Sequence, residues 1–304
     1  MFSLTTNELK AIQALIAGGL TIKELGELIG VSRRASSNIV QTLRDKGIAD
    51  YPGTRSSKAS LSGRLHAHAL RQFIIEGTRP IEVLAGGKLL ILLSIHRHAK
   101  TVERISLETD LKVSTVERFL RELSKYGLVL TQDRRYRVPL SDPLCPVLAS
   151  YARGSCQVQM EHISSGGVIT WYDGLEFLFT ADAISDYHHA HVTGLSAMSG
   201  YGLKFFTPRN EYHYRRWDGE LNPITVALDI LLTKPASKER VRYSLLLLMK
   251  EHADMSVFKD DARNYGLDRE AQAISDYLSG RTVSEEWFPS ELDVRQLLEL
   301  YGVG

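Results

Sequence analysis

The sequence predicts a mainly α protein with an α+β part, in which two small helical domains precede a mixed α/β domain. Three observations indicate this order. A pattern of helices and a hairpin occurs twice at a spacing of 80 residues, the net charge changes sign near residue 140, and strand and helix patterns mix after that point. A chain of 304 residues is long enough for two or three domains. The predicted domains cover residues 1–78, 79–140 and 141–304.

The first copy of the pattern starts with an amphipathic helix over Thr6–Ile16, whose apolar residues recur at helical spacing. Thr21 is placed to cap a second helix, and Gly30 follows that helix, where a left-handed turn costs glycine least. Ser32 then caps a third helix, which ends before a predicted hairpin over residues 49–62. Helix, helix, turn, helix and hairpin is the order of a winged helix-turn-helix domain.

The same pattern recurs 80 residues later without a gap. Thr21 corresponds to Thr101 and Gly30 to Asp110, and a second hairpin is predicted over residues 129–138. The apolar positions also correspond, with Ile39, Val40 and Leu43 matched by Phe119, Leu120 and Leu123. Aspartate tolerates the left-handed conformation better than most residues, so Asp110 fits the turn. The repeat therefore predicts a tandem pair of winged helix-turn-helix domains.

Two stretches resemble known regulators. The segment "TIKELGELIGVSRRASSNIVQTLRDKGI" resembles the core of MarR-like winged-helix regulators, and "TVERISLETDLKVSTVERFLRELSKYGLV" resembles the matching segment of IclR-like regulators. The resemblance covers about residues 6–139 and implies a DNA-binding transcriptional regulator. Asp110 departs from the glycine that is usual at the turn.

The third helix of the first copy has one apolar face and one polar face. In helix-turn-helix proteins the N-terminal part of this helix meets base edges, where Arg pairs with guanine and Asn or Gln with adenine. We therefore predict double-stranded DNA as a partner. The candidate contacts in the first copy are Ser32, Arg33, Arg34, Ser37, Asn38 and Gln41 on the helix, with Arg55 and Lys58 near the tip of the hairpin.

The second copy is a poorer match to a base-reading surface, because Glu117 stands where the first copy has Ser37 and would repel phosphates. Its hairpin is strongly basic, which suits phosphate or minor-groove contact. The candidate contacts are Ser114, Thr115, Arg118 and Arg121 on the helix and Arg134, Arg135 and Arg137 on the hairpin. The alternative is a winged domain that serves packing or dimerisation.

The net charge of +1 hides a division along the chain. Residues 1–139 contain 22 Lys and Arg against 13 Asp and Glu, a balance of +9, and residues 140–304 contain 15 against 23, a balance of −8. A basic half indicates nucleic-acid binding, and an acidic half indicates another task, such as docking of a protein partner. A single chain could act as a pseudo-dimer on DNA, or two chains as a homodimer.

The acidic half predicts an α+β domain for sensing or partner binding. A hairpin is expected around Asp173-Gly174, further strands over 203–207 and 212–216, and three late helices. Segment 224–233 fits either a buried strand or the start of a helix. Residues 187–277 resemble the C-terminal region of AbiEi-like antitoxins. That resemblance implies, as an alternative function, an antitoxin-like protein that regulates its own promoter and opposes a nucleotidyltransferase-type toxin.

No motif of a known enzyme site appears, and we predict neither catalysis nor a cofactor nor a metal. Two weak constellations remain. His188, His189 and His191 with Asp186 could ligate a metal but suit a polar loop better, and Asp173, Glu176 and Asp229 with Lys234 could form the acidic set of a DNA-processing nuclease, which is the third hypothesis. The two cysteines, Cys145 and Cys156, lack metal-ligand spacing.

The N-terminus carries no secretory signal pattern, and the longest apolar run is too short for a membrane span. The expected location is the cytoplasm. The sequence thus favours a cytoplasmic, sequence-specific DNA-binding regulator with two winged helix-turn-helix domains and a C-terminal α+β domain.

Overall fold

The computed structural model describes residues 2–54, 57–77, 79–185, 187, 189–217, 219 and 221–303. It is a mixed α and β structure, rich in helices and with small antiparallel sheets. Its contacts divide into two compact units. The first unit comprises Met1–His162 and Asp173–Leu175, and the second comprises Ile163–Tyr172 and Glu176–Gly304.

The first repeat occupies the start of the first unit. Its elements are α1 (Thr6–Ile16), β1 (Leu20–Thr21), α2 (Ile22–Ile29), α3 (Arg33–Asp45), β2 (Ala49–Asp50) and β3 (Lys58–Leu61). The three short strands form an antiparallel sheet in the order β1-β3-β2. Leu9, Ile12, Leu25, Val40 and Leu43 are buried and form the core between the helices.

The second repeat follows after the helix α4 (Leu65–Glu76) and a short 3-10 turn at Ile81–Leu84. Its elements are α5 (Gly87–Ile95), α6 (Val102–Thr109), α7 (Val113–Lys125), β4 (Leu130–Gln132) and β5 (Arg135–Arg137). Helices α6 and α7 begin and end 80 residues after α2 and α3. A bridge between Lys100 and Tyr136 lies where the first repeat has β1.

Local capping marks the start of three of the four repeated helices, α2, α3 and α6, whereas α7 starts after Lys112 without a side-chain cap. Thr21 accepts a hydrogen bond from the Glu24 N–H, and Ser32 accepts one from the Ala35 N–H, as the sequence predicted. Gly30 and Asp110 both take the left-handed conformation at the end of their helices, with φ of 74° and 56°. The predicted turn at Asp110 is therefore confirmed.

The long helix α8 (Leu144–Ile163) belongs to the first unit up to His162. Pro146 lies in the first turn of this helix, where the missing N–H of proline does no harm. The Tyr151 hydroxyl of α8 donates to the Phe2 carbonyl, which ties the helix to the start of the chain.

The second unit consists of a four-stranded antiparallel sheet and a group of helices. The strands β6 (Val168–Asp173), β7 (Glu176–Ala181), β8 (Ala190–Val192) and β9 (Asn210–Tyr214) lie in the order β6-β7-β9-β8. The helices are α9 (Gly194–Ala197), α10 (Pro223–Thr233), α11 (Lys238–Lys250), α12 (Met255–Arg263), α13 (Asp268–Leu278) and α14 (Glu291–Tyr301), with a 3-10 turn at Met198–Tyr201.

In this half the structure decides one open alternative and changes one expectation. Segment 224–233 is helical, because Asn222 caps it and Pro223 occupies its first turn. Residues 203–207 do not form a strand, since the Phe205 ring packs against Tyr243 and Tyr301 instead. Ser237 is the N-cap residue of α11, and its side chain makes no capping hydrogen bond. Within the described residues, no helix is long and apolar enough to cross a membrane.

Candidate nucleic-acid interface

The outer face of α3 brings together the candidate contacts of the first copy. Ser32, Arg33, Arg34, Ser37, Asn38 and Gln41 are all exposed. Among the residues that the structure describes, neither Arg33 nor Arg34 forms an ion pair, so both guanidinium groups are available. Gln41 donates to the Asp45 carboxylate at 2.8 Å, which partly occupies its amide.

The inner face of α3 fixes its angle to α2. The buried Ser36 hydroxyl donates to the Ile22 carbonyl at 2.9 Å, and Val40 and Leu43 are fully buried. Gly26 permits this approach, because a Cβ there would lie 3.1 Å from the Val31 carbonyl oxygen. The polar face of α3 is therefore presented on a rigid support.

The first hairpin places Lys58 beside this helix pair. Lys58 is exposed, begins β3 and pairs with Thr21 immediately before α2. It therefore stands at the start of the returning strand rather than at the tip of the hairpin. Arg55 lies outside the described residues.

The helix α7 of the second copy presents a different surface. Ser114, Arg118 and Arg121 are exposed, whereas Thr115 is half-buried. The Arg118 guanidinium lies over the Phe119 ring at 4.9 Å, and Arg121 Nε donates to the Glu117 carbonyl at 3.3 Å. These two cations are thus partly held by their own helix.

The second hairpin supplies two exposed cations, Arg134 and Arg137. Arg135 is different, because its Nε donates to the Ala99 carbonyl at 3.0 Å and its side chain is half-buried. The three arginines that the sequence grouped together therefore divide into two that face solvent and one that also holds the segment before α6.

Comparison of the two copies at the offset of 80 reveals a change that sequence reasoning missed. Four exposed apolar residues of the second copy stand where the first copy has charges. They are Leu107, Val113, Tyr126 and Leu130, which are 46, 43, 43 and 47% exposed and replace Glu27, Arg33, Lys46 and Asp50. The second copy has therefore lost charge where α7 begins, the position of Arg33 in α3.

The first unit also contains a buried charge cluster. Lys100 is 0% exposed and donates to Glu108 at 2.9 Å and to Asp173 at 3.1 Å, while Ser94 and Arg104 donate to Glu108. Asp173 belongs to the turn residues that group with the first unit. Asp173, one residue of the nuclease-like set, thus belongs to a buried structural ion pair with Lys100.

Two other members of that set meet a histidine inside the second unit. His213 Nδ1 lies 2.9 Å from Asp229, and its Nε2 lies 3.1 Å from Glu176. All three side chains are essentially inaccessible to solvent, and Lys234 is exposed at the end of α10. Burial lowers the pKa of His213, but the two carboxylates outweigh it and raise the pKa to about 9.

The histidine group of the sequence is only partly described. His189 lies in a turn and His191 in β8, opposite His213, whereas His188 and Asp186 lie outside the described residues. In the part of the chain that the structure describes, no group of three or more His, Cys, Asp or Glu residues is arranged to hold a metal.

Comparison with known proteins gives one match. A family model described as HVO_2833_C, C-terminal, matches residues 187–303, less than half of the chain. No curated protein and no solved structure matched the chain. The matched stretch includes residues 187–277, and the family description states no activity. The AbiEi-like resemblance of this stretch stays a prediction.

Proposed function

We propose that this protein is a sequence-specific DNA-binding regulator whose first unit contains two winged helix-turn-helix domains. The observation that carries the proposal is the outer face of α3. Four adjacent hydrogen-bonding side chains, Arg33, Arg34, Ser37 and Asn38, are exposed on a helix whose inner face is fixed by packing. Such a set matches the donor and acceptor groups of base edges in the major groove.

The arrangement around α3 supports the same interpretation. The left-handed turn at Gly30 joins α2 to α3, and β2 and β3 form a hairpin in the sheet β1-β3-β2, which supports the assignment of these elements as a winged helix-turn-helix. The N–H groups at the start of α3 add a partial positive charge that favours a phosphate. We assign base reading to α3 of the first copy.

We assign a supporting role to the second copy. Val113 and Glu117 occupy the positions of Arg33 and Ser37, so α7 offers fewer groups for bases. Arg134 and Arg137 remain exposed on the hairpin and suit the phosphate backbone. The second copy thus contributes affinity without much sequence preference.

The experiment starts with selection of bound duplexes from a random pool by the full chain. Arg34→Ala is then expected to cost about 1–3 kcal/mol on the selected sequence and much less on a scrambled one, because a bidentate base contact is lost. Fluorescence anisotropy at several salt concentrations measures both affinities.

Lys10→Ala is the matched control, since Lys10 is exposed on α1 and its removal changes the charge by the same amount. This control is expected to affect selected and scrambled duplexes alike, and only slightly. Absence of DNA binding at low salt, or equal losses for Arg34→Ala on both duplexes, would contradict the proposal.

A further inference from the structure

A small cavity opens within the first unit, away from the proposed reading helix. It has a volume of about 240 Å³ and lies between the end of α1, the end of β3 and the start of α4. Leu15, Ile16, Leu61 and Ala67 provide apolar walls. Its polar groups come from Ser60, Ser62, His68 and Arg71, and the backbone of Gly18, Gly19 and Gly63 completes it.

The side chains that line this cavity include bases and hydroxyls but no carboxylate. His68 and Arg71 are three residues apart on α4 and therefore point to the same side of the helix. Across the described ranges, neither side chain has an ion-pair or hydrogen-bond partner. The local charge balance of the cavity thus favours an anion.

Ser62 supplies a buried hydroxyl at the same place. It is only 6% exposed and accepts a 3.4 Å hydrogen bond from the Arg64 N–H, but its own hydroxyl proton has no acceptor among the described residues. A buried hydroxyl normally donates to something, because an unused donor costs free energy. Its position in the cavity wall makes a ligand oxygen the natural acceptor.

The start of α4 adds main-chain donors at the same place. Arg64 occupies the N-cap position of this 12-residue helix and makes no side-chain capping hydrogen bond. The first N–H groups of the helix therefore lack a side-chain acceptor. Gly63 and Ala67, which flank these groups, both line the cavity.

We propose that this cavity binds a phosphate group through Arg71, His68, Ser62 and the N-terminus of α4. The phosphate could belong to the backbone of bound DNA or to a free phosphorylated molecule. The first source rests on the proposed function, whereas the second is independent of it.

The test uses the full chain and two variants of equal charge. Arg71→Met removes the main cation of the cavity, and Arg153→Met, on the exposed side of α8 in the same unit, is the control. Titration calorimetry with inorganic phosphate is expected to give binding that Arg71→Met weakens about tenfold or more and Arg153→Met leaves unchanged. Ser62→Ala is expected to weaken it to a smaller degree.

The DNA arm distinguishes the two sources. If a DNA phosphate occupies the cavity, Arg71→Met weakens binding of all duplexes about equally. It also reduces the slope of log affinity against log salt concentration by about one, relative to Arg153→Met. If the source is a free phosphate, DNA affinity stays unchanged while phosphate binding is lost. Equal behaviour of Arg71→Met and Arg153→Met in both arms would overturn the proposal.

Discussion

His213 is a positive charge held between two carboxylates in the interior of the second unit. Because its pKa is raised to about 9 from an unfolded value of about 6.5, the charged form stabilises the fold by roughly 3 kcal/mol. Because the pKa is higher in the folded protein than in the unfolded chain, protonation of His213 favours folding. This contribution is complete below about pH 6.5 and is lost as the pH rises through about 9.

The corresponding measurement is urea unfolding from pH 6 to 10, followed by tryptophan fluorescence. All three tryptophans, Trp171, Trp217 and Trp287, belong to the second unit, so the signal reports on that unit alone. His213→Gln is expected to be less stable near neutral pH, with the difference from the parent shrinking above pH 9. A difference that does not change with pH would mean that His213 is not charged in the folded protein.

Arg134 is a second residue whose environment leads to a prediction. Asp133 and Arg134 form the two-residue turn between β4 and β5, and both have positive φ, of 50° and 59°. This is the geometry of a type I′ turn, which favours glycine at its second position. Arg134→Gly should therefore stabilise the first unit by up to about 1 kcal/mol while removing an exposed charge.

If the hairpin contacts phosphates, Arg134→Gly should at the same time weaken DNA binding. Thermal unfolding followed by circular dichroism gives the stability, and anisotropy titrations give the affinity. Arg137→Gln is the control. It removes one positive charge from the extended strand β5 and leaves the backbone strain of the turn unchanged. If Arg134→Gly is more stable but neither variant changes the DNA affinity, this hairpin is not part of the interface.

At the scale of elements, helices with local signals could be predicted and contacts between distant segments could not. The bounds of α2, α3 and α6 follow from caps and turns within a few residues of each helix, whereas α7 starts after Lys112 without a side-chain cap. The strand expected over residues 203–207 fails because Phe205 packs on Tyr301, about a hundred residues away along the chain.

The same distinction between local signals and distant contacts applies to the candidate site. Periodicity was enough to place the polar face of α3 outward. It could not reveal that Lys100 is buried, because its partner Asp173 lies 73 residues further along the chain. Nor could it separate Arg135 from Arg134 and Arg137, since that distinction depends on the carbonyl of Ala99.

The turn between β6 and β7 is an element whose tight packing can be tested. Gly174 has a φ of 60°, and a Cβ there would lie 2.0 Å from the Leu93 carbonyl oxygen. Gly174→Ala must therefore displace backbone and is expected to cost several kcal/mol, about 3 or more. Thermal unfolding measures the loss.

Gly127 offers a matched comparison for that prediction. It also has a positive φ, of 69°, but no atom lies within 4 Å of the position that a Cβ would take. Gly127→Ala should cost only the backbone strain, about 1 kcal/mol. Equal losses at the two positions would show that the contact with Leu93 contributes little.

At the scale of the whole molecule, the charge distribution is uneven in two respects. The basic residues concentrate before residue 140, and within that part the two copies differ on their outer faces. The first copy carries Glu27, Arg33, Lys46 and Asp50 where the second carries exposed apolar side chains. A chain with two unlike domains has no internal two-fold symmetry to match a palindrome.

We therefore expect one chain to prefer an asymmetric site, with one half read through bases by α3 and the other held through phosphates. Selection from a random duplex pool reveals the site, and native mass spectrometry of the complex counts the chains bound. A homodimer that used only the first copy would instead select an inverted repeat, with half-sites about one DNA turn, roughly 34 Å, apart. Recovery of such a repeat with two chains bound would contradict the pseudo-dimer. It would leave the second copy as a spacer or as a contact between chains.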